Sequence, residues 1–247
     1  MRTQDPFGQL TRRETLRWGL GASAGLALGA PAARAVRRKT GATRRPNIVF
    51  VFADQMHSQV LSCYGNAQVS TPHIDRIGRE GVRFDNACST WPVCSPFRAM
   101  LMTGLYPMHN GTVSNDTGMK DGLPTIAKVC RENGYRTGYI GKWHLEWSRT
   151  PFVPKERRQG FDFWASRNCS HQYFASFYCG ETPEKIALPG YEPDAQARMA
   201  ADYIRDNREA PFCLFLSWGP PHDPYHAPEE YMKRYAPEGL TLPRNVA

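Results

Sequence analysis

The sequence lacks three things that would point to particular classes of protein. After residue 45 it has no excess charge of either sign, because ten basic and two acidic residues among the first 45 account for the whole net charge of +8. It has no apolar run of the roughly 20 residues that a membrane-spanning helix needs, and no internal repeat or low-complexity tract after residue 45. These absences exclude a repeat protein and a nucleic-acid partner attracted by bulk charge. The 247 residues, 41% of them hydrophobic, suffice for one large domain or two small ones.

The first 35 residues have the layout of an export signal. Arg12 and Arg13 stand before a weakly apolar stretch of small residues, 18–30, and Ala33-Arg34-Ala35 matches an A-x-A cleavage site. This layout is typical of a twin-arginine (Tat) signal. We therefore expect a signal peptide at 1–35, a basic linker at 36–45, and export by the Tat machinery to the bacterial periplasm or beyond, with no stable membrane span after cleavage. The alternatives are an amphipathic or transmembrane N-terminal helix and an uncleaved anchor.

From residue 46 onward, strand and helix patterns alternate. Apolar, β-rich runs predict strands at Asn47–Ala53, Thr137–Ile140 and Phe212–Trp218. The predicted helices run from Thr71-Pro72 to Gly81, from about Leu123 to Asn133, and from about Asp194 to Arg208. Alternating strands and helices predict an α/β fold with a parallel sheet.

Each predicted strand runs into ionisable residues. Asp54-Gln55 follows the first strand, Lys142 and His144 follow the second, and His222 follows the third. Because parallel strands end at one edge of a sheet, we expect a functional site there. Taken singly, each residue has an ordinary explanation: Asp54 as a cap or turn residue, Lys142 and His144 as surface residues, and His222 as part of a rigid Pro-containing turn.

The segment Cys94-Ser95-Pro96-Phe97-Arg98 lies between a loop and a predicted helix. The cysteine falls at or just before the helix N-terminus, where free N–H groups favour negative charge. Three residues separate Cys94 from Arg98, whereas a thiolate phosphatase loop has five, so that class is disfavoured. A packed or disulfide-bonded cysteine is the ordinary alternative in a chain with seven.

C-S-P-F-R followed by A-M-L-M-T-G resembles the signature of the formylglycine-dependent sulfatases. Four further segments resemble family landmarks in the same order: F-A-D-Q, T-P-H-I-D-R-I-G-R-E-G-V-R-F, G-K-W-H-L and L-F-L-S-W-G-P-P-H-D-P-Y. The resemblance covers residues 46–247. It implies an alkaline phosphatase-like α/β/α sandwich with a central, mostly parallel sheet, and the chain resembles the N-terminal portion of such a catalytic domain, apparently truncated at its C-terminus.

The resemblance also implies a mechanism. Cys94 would be oxidised by a formylglycine-generating enzyme to an aldehyde whose gem-diol attacks sulfur, and the second hydroxyl would then expel sulfate from the covalent intermediate. Arg98 and His144 would orient the diol. Lys142 would bind a sulfate oxygen, and His222 would contact the ester near its leaving oxygen.

The family's metal is usually Ca²⁺, with Mg²⁺ or Mn²⁺ as alternatives, bound through oxygen ligands. The resemblance places it at Asp54, Gln55 and the modified Cys94. Many members have two consecutive aspartates where this chain has Asp54-Gln55, so Gln55 is the weaker ligand. The remaining metal ligands and a second sulfate-binding lysine normally lie further along than residue 247, and neither Asp85-Asn86 nor Asp206-Asn207 is assigned to the metal. We therefore expect an incomplete metal site and little or no activity from this chain alone.

Three functions follow as hypotheses. The first is hydrolysis of a carbohydrate or aryl sulfate ester, the second is hydrolysis of a phosphonate monoester or phosphodiester, and the third is a non-catalytic sulfate- or glycan-binding remnant. The partners expected are a sulfated small molecule or glycan, the formylglycine-generating enzyme and the Tat machinery, with no nucleic acid. Residues 150–188, which include Arg167, His171 and Tyr173, are either a substrate rim or a packed insertion. Cys169 and Cys179 are the expected disulfide pair.

Overall fold

The computed structural model describes residues 45–235 and 237–241, all within one compact unit. The predicted signal peptide (1–35) and nearly all of the predicted linker (36–45) lie outside the described residues. Among the residues described, no helix combines the length and the apolar character needed to cross a bilayer.

The centre of the fold is a six-stranded sheet. Its strands are β1 (Ile48–Ala53), β2 (Arg136–Lys142), β3 (Phe163–Arg167), β4 (Phe177–Cys179), β5 (Lys185–Ala187) and β6 (Phe212–Trp218), in the order β1-β6-β2-β3-β4-β5. The four strands β1, β6, β2 and β3 are parallel, and β4 and β5 add an antiparallel pair at one edge. The predicted α/β class with a mostly parallel sheet is confirmed.

Helices cover both faces of the sheet. Alternation along the buried strands sends Tyr139 and Phe215 to one face, against a core that contains Ala99 and Ala127. Ile140, Leu214 and Leu216 point to the other face, against Ala200 and Tyr203. The helices are α1 (Pro72–Glu80), α2 (Cys94–Thr103), α3 (Pro107–Asn110), α4 (Ile126–Glu132), α5 (Glu192–Asp206) and α6 (Glu229–Arg234).

The predicted strands and helices are present, with shifted ends. β2 extends beyond its predicted bounds and includes Lys142. The helix expected from Leu123 begins at Ile126, because Thr125 caps it: the Thr125 hydroxyl accepts a hydrogen bond from the Lys128 N–H. α2 begins at Cys94, as expected.

Part of the segment 150–188 belongs to the packed body of the fold. It contributes β3, β4 and β5 to the sheet, and Arg158, Trp164 and Arg167 are buried. The expected disulfide is wrong, because Cys169 and Cys179 are both free. Cys179 lies opposite Ser166 in the β3–β4 pairing, whereas Cys169 comes three residues later, beyond the end of β3. The two thiols are thus held by different neighbours, with Cys179 Sγ 3.8 Å from the Pro183 carbonyl oxygen.

Candidate active site

The three strands predicted to end in ionisable residues are neighbours in the sheet. β1 and β2 flank β6, so the residues that follow their carboxyl ends meet at one edge. The Asp54 N–H donates to the carbonyl of Trp218 at 3.1 Å, which joins the ends of β1 and β6. Asp54, Gln55, Cys94, Arg98 and His222 line a cavity of about 670 Å³ at this edge.

The N-terminus of α2 holds Cys94 over this edge. The Ser95 N–H donates to Asn115 Oδ1 at 2.9 Å, and the Ser95 hydroxyl donates to the carbonyl of His144 at 2.6 Å. The Cys94 thiol lies 3.5 Å from Asp54 Oδ1. Burial raises the pKa of the thiol, and the nearby Lys142 cation does not offset it. Cys94 therefore stays protonated at neutral pH, which argues against a thiolate nucleophile.

Arg98, one turn along α2, is 1% exposed and connects the helix to all three strands. Its Nη1 donates to the carbonyl of Lys142 at 2.6 Å and to Ser217 Oγ at 2.8 Å, and its Nη2 lies 3.3 Å from Asp54 Oδ2. A guanidinium is always charged and presents several donors in a fixed plane. Arg98 therefore fixes the strand ends relative to Cys94.

Asp54 lies between two buried cations. Lys142 Nζ is 2.6 Å from its Oδ2, and Arg98 approaches the same oxygen. Burial would raise the pKa of Asp54, but the charges of Arg98 and Lys142 outweigh it and hold the pKa at about 2. Asp54 is therefore ionised throughout the physiological range.

His144 is held in a neutral form. Its backbone has a φ of 55°, and its N–H donates to the carbonyl of Asn168 at 2.6 Å. Burial, followed by the charges of Lys142 and Arg98, lowers the pKa of the imidazole to about 3. Its Nδ1 is buried and has no hydrogen-bond partner among the described residues, so it is available to a bound group.

His222 completes the group from the end of β6. One of its ring nitrogens, an Asp54 carboxylate oxygen and Cys94 Sγ all lie within 4.8 Å of one another. Its Nδ1 lies 2.8 Å from the carbonyl oxygen of Asp223. Because a carbonyl only accepts hydrogen bonds, Nδ1 carries the proton and Nε2 is the nitrogen available to the cavity.

The structure therefore brings together six of the seven residues named from the sequence, and the seventh, Gln55, lines the same cavity without contacting the other six side chains. Gln55 is exposed, has a φ of 60° and lines the cavity mouth. Asp206 and Asn207 lie by contrast at the end of α5 and line a different cavity with Arg136, at the start of β2.

Sequence reasoning missed Asn115 and Ser217. Asn115 fixes the start of α2, and Ser217 accepts a hydrogen bond from Arg98. The sequence signal for Ser217 was a serine inside an otherwise apolar strand. Ser217 is fully buried there, and a buried hydroxyl requires a hydrogen-bond partner. No local pattern marked Asn115, because its partner Ser95 is 20 residues away.

Comparison with known proteins decides the family. Residues 46–246 match the Sulfatase family. The chain belongs to the sulfatase family. An ulvan-active sulfatase of Formosa agariphila is 39% identical over 208 residues, which are 82% of this chain and 41% of that protein.

Two solved structures extend the similarity of this sulfatase chain to its fold. One contains its substrate D-glucosamine-2-N,6-O-disulfate and has a TM-score of 0.69 and 30% identity, covering 76% of this chain and 37% of that one. The phosphonate monoester hydrolase of Agrobacterium radiobacter has a TM-score of 0.59 and 26% identity, covering 78% and 44%. The chain thus spans less than half of each of these proteins.

Proposed function

We propose that this sulfatase chain carries the nucleophile half of a sulfuric ester hydrolase site that acts on a sulfated carbohydrate or an aryl sulfate. The observation that carries the proposal is the convergence of Cys94, Asp54 and His222 within 4.8 Å, at the carboxyl edge of a parallel sheet. Arg98 and Lys142, both buried, stand behind this group. Two buried cations against one carboxylate leave a net positive pocket, which suits an anionic ester.

The residues divide the work by position. When formylglycine is present at position 94, its hydrate supplies the hydroxyl that attacks sulfur and a second hydroxyl that lets sulfate depart. Arg98 orients the formylglycine hydrate, and the neutral imidazole of His144 offers its Nδ1 to the hydrate. Lys142 is placed to bind a sulfate oxygen once a ligand competes for its ammonium group. When both of its ring nitrogens are protonated, His222 presents Nε2–H to the leaving oxygen and supplies its proton.

The donors also fit a hard divalent cation in type. Asp54 offers a carboxylate and Gln55 an amide oxygen, and after oxidation position 94 offers oxygen in place of sulfur. Within the described ranges, Asp54 is the one carboxylate among the clustered side chains able to share a metal, whereas Ca²⁺ takes about six to eight oxygens. We therefore propose Ca²⁺, or Mg²⁺ or Mn²⁺ in its place, held here by Asp54, Gln55 and the modified Cys94. A bound cation would offset negative charge on the ester.

The substrate class and partners follow from the relatives. Ulvan and a sulfated glucosamine are the sulfated carbohydrates named for two similar proteins, which supports a sulfated glycan as the substrate. A formylglycine-generating enzyme is the partner that the Cys94 chemistry requires. Export through the Tat pathway, proposed from residues 1–35, would place this hydrolysis outside the cytoplasm.

The experiment couples modification to chemistry. The chain is expressed with a formylglycine-generating enzyme, the Cys94 peptide is analysed by mass spectrometry, and sulfate release is measured from aryl and oligosaccharide sulfates with and without calcium. We expect an aldehyde at position 94 and slow sulfate release that Cys94→Ala abolishes. An unmodified thiol together with no Cys94-dependent release would contradict the proposal and favour a non-catalytic binding remnant.

The similarity to a phosphonate monoester hydrolase makes that activity the second candidate. Comparing turnover of an aryl sulfate, a phosphodiester and a phosphonate monoester separates the two functions. A preference for the phosphorus esters would replace the sulfatase proposal.

A further inference from the structure

The segment that follows β3 contacts both the ring and the main chain of His222. The imidazoles of His171 and His222 stack with their centroids 4.2 Å apart and their planes 16° from parallel. Two residues along, the Tyr173 hydroxyl donates to the carbonyl of His222 at 2.9 Å and lies 3.3 Å from the carbonyl of Asp223. One short segment thus limits two motions of His222: rotation of its ring and displacement of its backbone.

We propose that His171 and Tyr173 are positioning residues, which keep Nε2 of His222 directed at the ester bound beside Cys94. The catalytic role of His222 in this proposal rests on the proposed function. The orientation of the His222 ring by His171 and Tyr173 does not depend on that function.

Tyr173 is itself held rigidly. It is 2% exposed, and its carbonyl accepts from the Glu192 N–H at 2.8 Å. Arg167, which is ion-paired with buried Glu192, donates to the carbonyl of Gln172 at 2.8 Å. The ring of Tyr173 also lies against Gly219, where an added Cβ would come within 2.8 Å of Cε1. Tyr173, one of the two supports for His222, is therefore anchored in the core between β3 and α5.

His171, which stacks on His222, has a neutral ring at neutral pH. Burial, Lys142 and His222 each lower the pKa of His171, so its ring is neutral at neutral pH. A neutral aromatic face accommodates a protonated imidazole, whereas a second cation would repel it. As the bond from sulfur to the leaving oxygen breaks, that oxygen keeps the electron pair and takes the Nε2 proton of the doubly protonated His222, which returns to its neutral Nδ1–H form. Nδ1 keeps its own proton, donated to the Asp223 carbonyl.

The first test reads the tautomer of His222 and requires no activity. Long-range ¹⁵N–¹H spectra of histidine-labelled protein distinguish Nδ1–H from Nε2–H imidazoles. The variants are His171→Ala, His171→Phe and Tyr173→Phe. His226→Ala and Tyr225→Phe are matched controls, because both residues are exposed on the segment that carries His222.

We expect the Nδ1–H form of His222 to dominate in the wild type, in His171→Phe and in both controls. The ratio of Nδ1–H to Nε2–H should fall about threefold to tenfold in His171→Ala and Tyr173→Phe, because a ring that is no longer held loses its Nδ1–H bond to the Asp223 carbonyl, and one hydrogen bond is worth about this factor. Each variant tests its own residue. A wild-type spectrum from His171→Ala or from Tyr173→Phe overturns the positioning role of that residue.

The second test is kinetic, on protein carrying formylglycine. His171→Ala and Tyr173→Phe should lower kcat about tenfold to a hundredfold on a sugar sulfate, with little change on an activated nitrophenyl sulfate and little change in KM. His171→Phe should restore the sugar sulfate rate. Equal losses on both substrates would overturn the proposal. If Cys94 stays an unmodified thiol and the wild type releases no sulfate while the tautomer results hold, the proposed function fails and the positioning of His222 stands.

Discussion

Lys142 Nζ and Asp54 Oδ2 are 2.6 Å apart, with both side chains less than a tenth exposed. Arg98 shares the same carboxylate oxygen, so one anion compensates two buried cations. A buried charge without its partner is costly, and this cluster therefore links the stability of the sheet edge to the charge of the site. An anionic ester would neutralise the excess positive charge of this cluster.

Replacing Asp54 with Asn should strongly destabilise the chain. The amide removes the negative charge while Arg98 and Lys142 remain buried, and breaking a buried pair costs about 3–5 kcal/mol. Urea unfolding measures the loss of unfolding free energy. Asp116→Asn is the matched control, because its pair with Arg149 is 80–91% exposed and is worth about 1 kcal/mol at most. Similar losses for the two variants would contradict this account.

Replacing Gly141 with Ala should disrupt the sheet at the site. Gly141 has a φ of +104°, and an added Cβ would lie 1.9 Å from the carbonyl oxygen of Ser217 on the adjacent strand. The strands must separate to accept it, so we expect a loss above about 4 kcal/mol or a failure to fold. Gly104→Ala is the control, since Gly104 also has positive φ but has open space around its Cβ position. It should cost only about 1–2 kcal/mol, measured by thermal or urea unfolding, and equal costs would refute the clash.

His144 should make the fold sensitive to mild acid. The unfolded chain takes up a proton near the ordinary pKa of 6.5, whereas folded His144 does so only near 3. The stability that neutral His144 contributes is therefore complete above about pH 7 and is lost as the pH falls from 6.5 toward 3. Uptake of one proton on unfolding changes the unfolding free energy by about 1.4 kcal/mol per pH unit. We expect about half of this change because the His144 ring is partly solvated.

The test compares unfolding free energies of wild type and His144→Asn at about pH 7, 6 and 5. Asn tolerates the positive φ of this position, so the backbone should be retained. The difference between the two proteins should shrink as the pH falls. His226→Asn, an exposed change of the same type, should keep the wild-type pH dependence. A difference between wild type and His144→Asn that stays constant with pH would rule out this titration.

The fold and the site were predictable from the sequence to different degrees. β6 was predicted to the residue because six of its seven residues are buried, and a short, nearly continuous apolar run is the sequence pattern of a strand covered on both faces. β4 and β5 have three residues each and are held mainly by their neighbours, so they carry no such local signal. Asp54, Lys142 and His222 could be named because ionisable residues at the ends of apolar strands are a local signal, and Cys94 and Arg98 because C-S-P-F-R resembles a family signature. The supporting roles of Asn115 and Tyr173 could not be predicted, because each acts through a contact 20 to 50 residues away in sequence.

The last prediction concerns competition between Lys142 and a metal. In this structure the ammonium group of Lys142 contacts the carboxylate oxygen that a divalent cation would use, so calcium must displace it. Lys142→Met removes the competing charge while keeping an unbranched side chain of similar length. We therefore expect Lys142→Met to bind calcium at least about tenfold more tightly than wild type, a difference of about 1.4 kcal/mol.

Calorimetric titration and the rise in Tm with added calcium both measure this effect, since a ligand that binds only the folded state raises its stability. Lys233→Met is the control, because Lys233 pairs with Glu229 on the exposed face of α6, and it should match the wild type. The double variant Asp54→Asn, Lys142→Met should lose the response, because the only charged oxygen donor of the described cluster is then gone. An equal calcium response in Lys142→Met and wild type would show that the cation binds elsewhere. A response that survives loss of Asp54 would remove this residue from the metal site.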